Sequence, residues 1–95
     1  MKLVWDEQKR QTNLFKHGLD FADAVLVLES HYRLDIEIIR NGEQRVQSLS
    51  YVMDRLAVLS VVHTARRDAV RVISLRPASQ TETEKYHEWL SQDID

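Results

Sequence analysis

The segment Leu56 to Thr64, L-A-V-L-S-V-V-H-T, constrains the fold of this chain more than any other stretch. It is nearly continuous apolar sequence, rich in branched side chains, and reads as a strand covered on both faces. Such a strand sits inside a sheet, with neighbours along its edges and packed elements above and below. The rest of the chain must supply them.

Its flanks do. From His31 to Arg40 the hydrophobic period is two: Tyr32, Leu34, Ile36 and Ile38 lie on one side, Arg33, Asp35 and Glu37 on the other. That is a half-buried antiparallel strand. Asn41-Gly42 follows as a hairpin turn, because both residues tolerate positive φ. A more polar strand, Gln44 to Val52, leads through a tight connection at Met53-Asp54 into the central one. Arg66-Arg67-Asp68 turns the chain back into a last strand, Val70 to Arg76. Strict alternation there puts Val70, Val72, Ser74 and Arg76 on one face and Arg71, Ile73 and Leu75 on the other. Pro77 ends it.

The helices lie outside this run. A short strand, Lys2 to Trp5, precedes a helix that Asp6 caps and Gly18 ends in a left-handed conformation. Within it Lys9, Asn13, Lys16 and His17 share one face, while Leu14 and Phe15, with Trp5 before them, give a thin apolar anchorage. Asp20 caps a second helix, Phe21 to Leu28, whose apolar face is Phe21, Ala24, Val25 and Leu28. Ser79 with Glu82, or Thr81 with Glu84, has capping-box spacing for a final helix. Its inner stripe is Glu82, Tyr86, Trp89 and Leu90, and the tail from about residue 91 is expected to fray. The order is a strand, two helices, four antiparallel strands in a meander, and a helix. We read one α+β domain over residues 1–95.

A net charge of −2 argues against a general nucleic-acid binder, but the charge is unevenly placed. Up to His17, Lys2, Lys9, Arg10 and Lys16 outnumber Asp6 and Glu7. From Arg55 to Arg76, the arginines Arg55, Arg66, Arg67, Arg71 and Arg76 face only Asp68. Brought together by the fold, these two segments form one electropositive cleft. Cysteine is absent, which removes thiolate chemistry and disulfides. No apolar run is long enough for a bilayer and the N-terminus turns polar at once, so a cytoplasmic protein with no membrane partner is expected.

Common enzyme signatures are missing. Gly18 and Gly42 are the only glycines, so no phosphate-cradling loop exists. No histidine pair has i, i+4 spacing and no serine lies in a nucleophile elbow. Neither a metal nor a cofactor is expected. What remains is a set of cations and hydrogen-bonding groups: Lys9, His17, Arg66, Arg71, Arg76 and Tyr86. Metal-free RNA cleavage needs such a set, because charge accumulates on the phosphorane oxygens when the ribose 2′-hydroxyl attacks. Each has a plainer role open to it. His17 suits a helix C-terminus, Tyr86 packs the last helix, and His63, in a core-like strand, reads as a satisfied buried imidazole. Glu43 and Arg45 read as a pair across the hairpin. Arg76, on an apolar face, needs an anion or a carboxylate.

The run Trp5-Asp6, Lys9, Asn13, Lys16-His17-Gly18, Phe21 and Ala24 resembles the N-terminal signature of BrnT-type toxins of bacterial toxin–antitoxin pairs, a family similar in fold to RelE-type ribonucleases. Glu43 and Arg45 stand where that family has its E-x-R opening of a strand. His63-Thr64-Ala65-Arg66 is similar to its aromatic-T-x-R segment, Arg71 to Arg76 to its R-x-I-S-x-R element, and Glu82 with Tyr86 to its final helix. The chain departs at Ser50 and Arg67, where relatives usually have glycine, and at His63, where they have an aromatic residue. The resemblance implies a RelE-like fold and a ribonuclease that inhibits translation by cutting RNA. It also implies a BrnA-like ribbon-helix-helix antitoxin, two toxins with two antitoxins, and promoter DNA bound only through the antitoxin. Catalysis would then fall to Lys9, His17, Arg66, Arg76, Glu43 and Tyr86, and RNA binding to Asn13, Lys16 and Arg71. The alternative is a non-catalytic module of the same fold, acting as partner or co-repressor. The nuclease reading expects Lys9 and His17 beside the guanidinium groups of the last two strands, in one phosphate-sized hollow.

Overall fold

The computed structural model describes residues 1–93. The central strand is β4 (Ala57–Arg66) in a five-stranded mixed sheet of order β1-β5-β4-β3-β2. Strands β2 (Leu34–Arg40), β3 (Glu43–Val52), β4 and β5 (Ala69–Pro77) are consecutive and antiparallel, as the alternation predicts. The meander is not the whole sheet, however. β1 (Leu3–Val4) adds a fifth strand parallel to β5, with Leu3 opposite Val70 and Val4 opposite Arg71. Two apolar residues are too few to announce a pairing partner in the sequence.

Between β1 and β2 the chain forms α1 (Glu7–His17), a 3-10 turn (Phe21–Ala24) and the single-turn helix α2 (Val25–Leu28). The Asp6 carboxylate accepts from the Gln8 and Lys9 N–H groups, and Gly18 ends α1 at φ 67°. These are the orphan backbone groups that caps exist to satisfy. The second helix is tighter at its start than its apolar spacing suggests, with Asp20 capping the 3-10 turn through Ala22 N. The final helix, α3 (Gln80–Asp93), opens on a reciprocal capping box. Glu82 N donates to Ser79 Oγ, and Ser79 N to the Glu82 carboxylate. This helix takes in Ser91 and Gln92, at the start of the tail expected to fray; residues 94 and 95 lie outside the described residues.

The sheet separates two apolar clusters. Phe21, Ala24, Val27 and Leu28 pack with Val52, Leu59, Val61, Val72 and Leu75 on one face. Tyr86, Trp89 and Leu90 of α3 pack with Leu49, Val58, Leu34 and Ile36 on the other. Neighbouring residues Val58 and Leu59 therefore serve different cores, which is why this strand reads as apolar throughout.

Two expectations fail in instructive ways. Leu14 and Phe15 do not anchor α1; both are exposed, Phe15 by 92 %. The helix is held instead by Asn13, whose amide donates to Leu75 O at 2.7 Å and to Leu19 O at 3.1 Å and accepts from Leu75 N at 3.2 Å. Alternation along β5 also breaks. The register passes from Val62↔Ser74 to His63↔Val72, so Ile73 is an extra residue in a bulge. Val72 and Leu75 consequently face the same core, and Arg76 is carried to the opposite face.

Candidate active site

The ladders fix which side chains share the face that carries α3. On β3, Glu43, Arg45, Gln47 and Leu49 alternate without interruption, and Leu49 lies beneath Tyr86. On β4, Val58, Ser60, Val62, Thr64 and Arg66 share that face. Across from them on β5 stand Arg76, opposite Ser60; Ser74, opposite Val62; and Arg71, opposite Thr64. The apolar side chains of α3 cover the end of this surface nearest Leu49 and Val58. Toward the hairpin and the β4–β5 turn it is a polar field of arginines.

Hydrogen bonds organise the field into two groups. Arg45 Nε donates to Glu43 Oε1 at 2.8 Å, and Arg66 Nη2 lies 3.5 Å from Glu43 Oε2. Glu43 and Arg45 thus pair along their own strand, not across the hairpin. Arg76 forms a two-pronged pair with Glu82, at 2.8 and 2.9 Å, which supplies the carboxylate its position demanded. The Gln47 amide joins this pair, donating to Glu82 at 2.8 Å and to Ser60 Oγ at 3.0 Å. Arg71 has no ion pair among the described residues. Between these groups, Thr64 Oγ1 is buried without a hydrogen-bond partner.

These contacts set the charge state of the two acids. The Arg45 hydrogen bond, with further help from Arg66, holds the Glu43 carboxyl below the usual carboxylate range. Arg76 does the same for Glu82, aided by Ser79 N–H and Gln47, and brings it down to about 2. Both are carboxylates at neutral pH, and Glu43 is the less occupied of the two.

Lys9, Asn13, Lys16 and His17 do share one helical face, but they are not beside Arg76. They line a groove of about 520 Å³ between α1 and the β5 bulge, with Asp6, Gln8, Thr12, Ile73 and Ser74. Arg66 and Arg71 line an adjoining hollow of about 450 Å³ with Val4, Trp5 and Asp6. Asp6 lines both. Arg76 lies through the sheet from the core under α2, turned away by the bulge. The lysines and histidine thus line one hollow and Arg66 and Arg71 another, and Arg76 lines neither.

Two further residues are engaged by backbone groups. Tyr86 is 1 % exposed and donates its hydroxyl to Tyr32 O at 2.6 Å, so it packs α3 and lies at the floor of an apolar cavity with Tyr32, Tyr51, Met53 and Leu90, away from the arginines. Asn13 has both amide atoms engaged by backbone, as described above. His63 lies on the α2 side, bonded to Ser48 Oγ at 2.8 Å, and is the satisfied imidazole that its strand suggested. Ser50, one of the departures from glycine, is fully buried with its hydroxyl donating to Ser30 Oγ at 2.7 Å. Arg67, the other, keeps a positive φ of 25°. The residues that position alone failed to flag are Arg45, Gln47 and Thr64. Counting by two from Leu49 and from Val58 would have found them. No cluster of three or more His, Asp or Glu among the described residues is placed to hold a metal ion.

Arginines exposed around a carboxylate on one face of the sheet of a small α+β domain suit a phosphate-bearing ligand. The family model described as "Ribonuclease toxin, BrnT, of type II toxin-antitoxin system" matches residues 5–82. The chain belongs to that family, and so is a ribonuclease toxin by family, with an antitoxin as its partner. The match takes in α1, the whole meander and the Arg76–Glu82 pair, and stops short of Tyr86. No curated protein matches the chain. No helix among the described residues is long and apolar enough to cross a membrane.

Proposed function

We propose that the protein is a metal-independent endoribonuclease of RelE-like fold, and that it cuts RNA on the open sheet face around Glu43, Arg45, Arg66 and Arg71. The observation that carries this reading is the convergence of those four residues, from three strands, beside a buried threonine hydroxyl without a partner. A phosphodiester drawn to the guanidinium groups would lie against Glu43. That carboxylate accepts the proton of the ribose 2′-hydroxyl as its oxygen attacks the adjacent phosphorus. The arginines stabilise charge on the phosphorane, and the departing 5′-oxygen takes a proton from solvent. The products are a 2′,3′-cyclic phosphate and a 5′-hydroxyl end. Arg76 and Glu82 support the floor of this face. Lys9, Lys16 and His17 act on the RNA chain at a distance from the reacting bond.

In the cell this activity would inhibit translation in the cytoplasm. A BrnA-like ribbon-helix-helix antitoxin would neutralise it, two toxins with two antitoxins, and the complex would repress its own promoter through the antitoxin's DNA contacts. One observation favours the alternative, a non-catalytic module: Arg45, Arg66 and Arg76 are already paired with carboxylates. The test uses purified protein, single-stranded RNA and EDTA. Wild type is expected to cut, leaving cyclic-phosphate ends, and Arg66→Ala or Arg71→Ala to slow cutting at least ~100-fold, the scale of losing one charge-stabilising donor, with antitoxin binding retained. Wild type that cuts no RNA, with or without ribosomes, leaves the module reading standing.

A further inference from the structure

The end of the sheet where β2 begins and β3 ends has no part in the cleavage face, yet it gathers exposed apolar side chains. Tyr32, Tyr51, Met53, Tyr86 and Leu90 line a hollow of about 590 Å³ there. Leu26, Glu29 and Asp54 line a neighbouring one of about 440 Å³ beside α2, which shares Tyr32, Tyr51 and Met53 with the first. Met53 is 75 % exposed and Tyr32 57 %, and Leu26 and Tyr51 are exposed as well. The buried hydroxyls in this wall are engaged within the chain: Tyr86 donates to Tyr32 O, and Ser50 Oγ to Ser30 Oγ at 2.7 Å. What the wall offers a partner is therefore apolar area, shaped as pockets that take anchoring side chains.

The charge around this area is one-sided. No lysine or arginine lines either hollow. Glu29 and Asp54 are in no ion pair among the described residues. Of the cations close to them in sequence, Arg55 is paired with Asp23 at 3.3 Å and Arg33 with Asp35 at 2.8 Å. A second copy docked by the same patch would set these carboxylates against each other across a two-fold axis, and an anionic bilayer would be repelled. Apolar anchors flanked by lysine or arginine fit. We propose that this end of the sheet is where the antitoxin anchors, through an amphipathic segment that seats apolar side chains beside Leu26, Tyr32 and Met53 and cations against Glu29 and Asp54. The inference rests on the antitoxin partner that family membership supplies, not on the nuclease reading. Tyr51 lies six residues from Arg45 along β3, about 20 Å. The anchor therefore leaves the cleavage face uncovered, and inhibition of cleavage falls to a different stretch of the antitoxin.

Rates and affinities of the full chain for the purified antitoxin encoded alongside it, measured at several salt concentrations, test this. The variants are Tyr32→Ser with Met53→Ser, and Glu29→Lys with Asp54→Lys; all four side chains are exposed, and each protein is checked for an unchanged Tm. Loss of the apolar pair is expected to weaken antitoxin binding at least ~10-fold, chiefly through faster dissociation. The charge reversal is expected to slow association at least ~10-fold at low salt and to remove most of its salt dependence. Binding of an uncleavable 2′-deoxy trinucleotide, which reports the cleavage face, should be the same in all three proteins. Wild-type antitoxin rates in both variants overturn the proposal, and so does trinucleotide binding that falls with antitoxin binding, which would put the two ligands on one surface. A charge-reversed chain that associates like wild type overturns the basic character of the segment. A dimer of the wild-type chain that Tyr32→Ser with Met53→Ser abolishes, with antitoxin affinity intact, gives the surface to a second copy instead. If wild type cuts no RNA but these antitoxin differences hold, the nuclease reading fails and the anchor stands.

Discussion

Thr64 has a buried hydroxyl with no partner, between arginines, in a strand otherwise well satisfied. An orphan of this kind costs about 1–3 kcal/mol, and a phosphate oxygen arriving at Arg71 and Arg45 would supply the missing partner. His63, its neighbour in sequence, faces the other core and shows the opposite condition. Ser48 donates its only hydroxyl proton to Asp35 at 2.6 Å, so the bond at 2.8 Å between Ser48 and His63 carries the imidazole proton: Nε2–H donates. Burial pushes the His63 pKa below its ordinary value. The Arg33 charge adds to this and Asp35 opposes it. An imidazole held neutral in the fold but free to protonate when unfolded contributes stability that is present above about pH 6.5 and lost as pH falls through it. Urea unfolding should show lower stability at pH 5.5 than at pH 7.5 in wild type. His63→Gln should flatten that difference, whereas an equal pH dependence in the variant would assign the effect elsewhere. The buried character of His63 was legible from its strand. Its partners were not, because Ser48 and Asp35 come from two other strands.

At the scale of elements, the start of α3 ties three pieces together. Glu82 completes the capping box with Ser79, holds Arg76 from β5 and receives Gln47 from β3. Glu82→Gln keeps the size and loses the charge, and should cost about 1–2 kcal/mol once solvent screening of a partly exposed pair is allowed for. The acid side has a definite sign. A carboxyl brought down to about 2 contributes stability that is whole above its ordinary value of 4.5 and disappears as pH falls toward 2. Thermal unfolding of wild type and variant should therefore differ at pH 6 and converge near pH 2; a constant difference would argue against the ion pair as its source. The capping box was legible as a four-residue spacing. The face of Arg76 was not, since one inserted residue at Ile73 reverses every side chain beyond it. The anchoring of α1 was equally hidden, because an asparagine bonded to backbone leaves no apolar pattern to count.

Across the whole molecule, the two sides of the sheet have different tasks. One is covered by the 3-10 turn and α2 over a dry core; the other is covered at one end by α3 and open at the other, where Glu43, Arg45, Thr64, Arg66 and Arg71 meet. The meander, its order and the doubly covered β4 followed from local periods and turns. The division of cations between the open face and the α1 groove is set by how helices dock on the sheet, which single-strand patterns do not encode. The central claim is that RNA lies on the open face. Titrating the ¹⁵N-labelled chain with an uncleavable single-stranded oligonucleotide tests it directly, by the amide shifts that move. The largest changes are expected at Arg45, Thr64, Arg66 and Arg71, with weaker ones along Lys9 to His17 and little change over Val25 to Leu28. Undisturbed amides at those four strand positions, with RNA bound elsewhere, would contradict it.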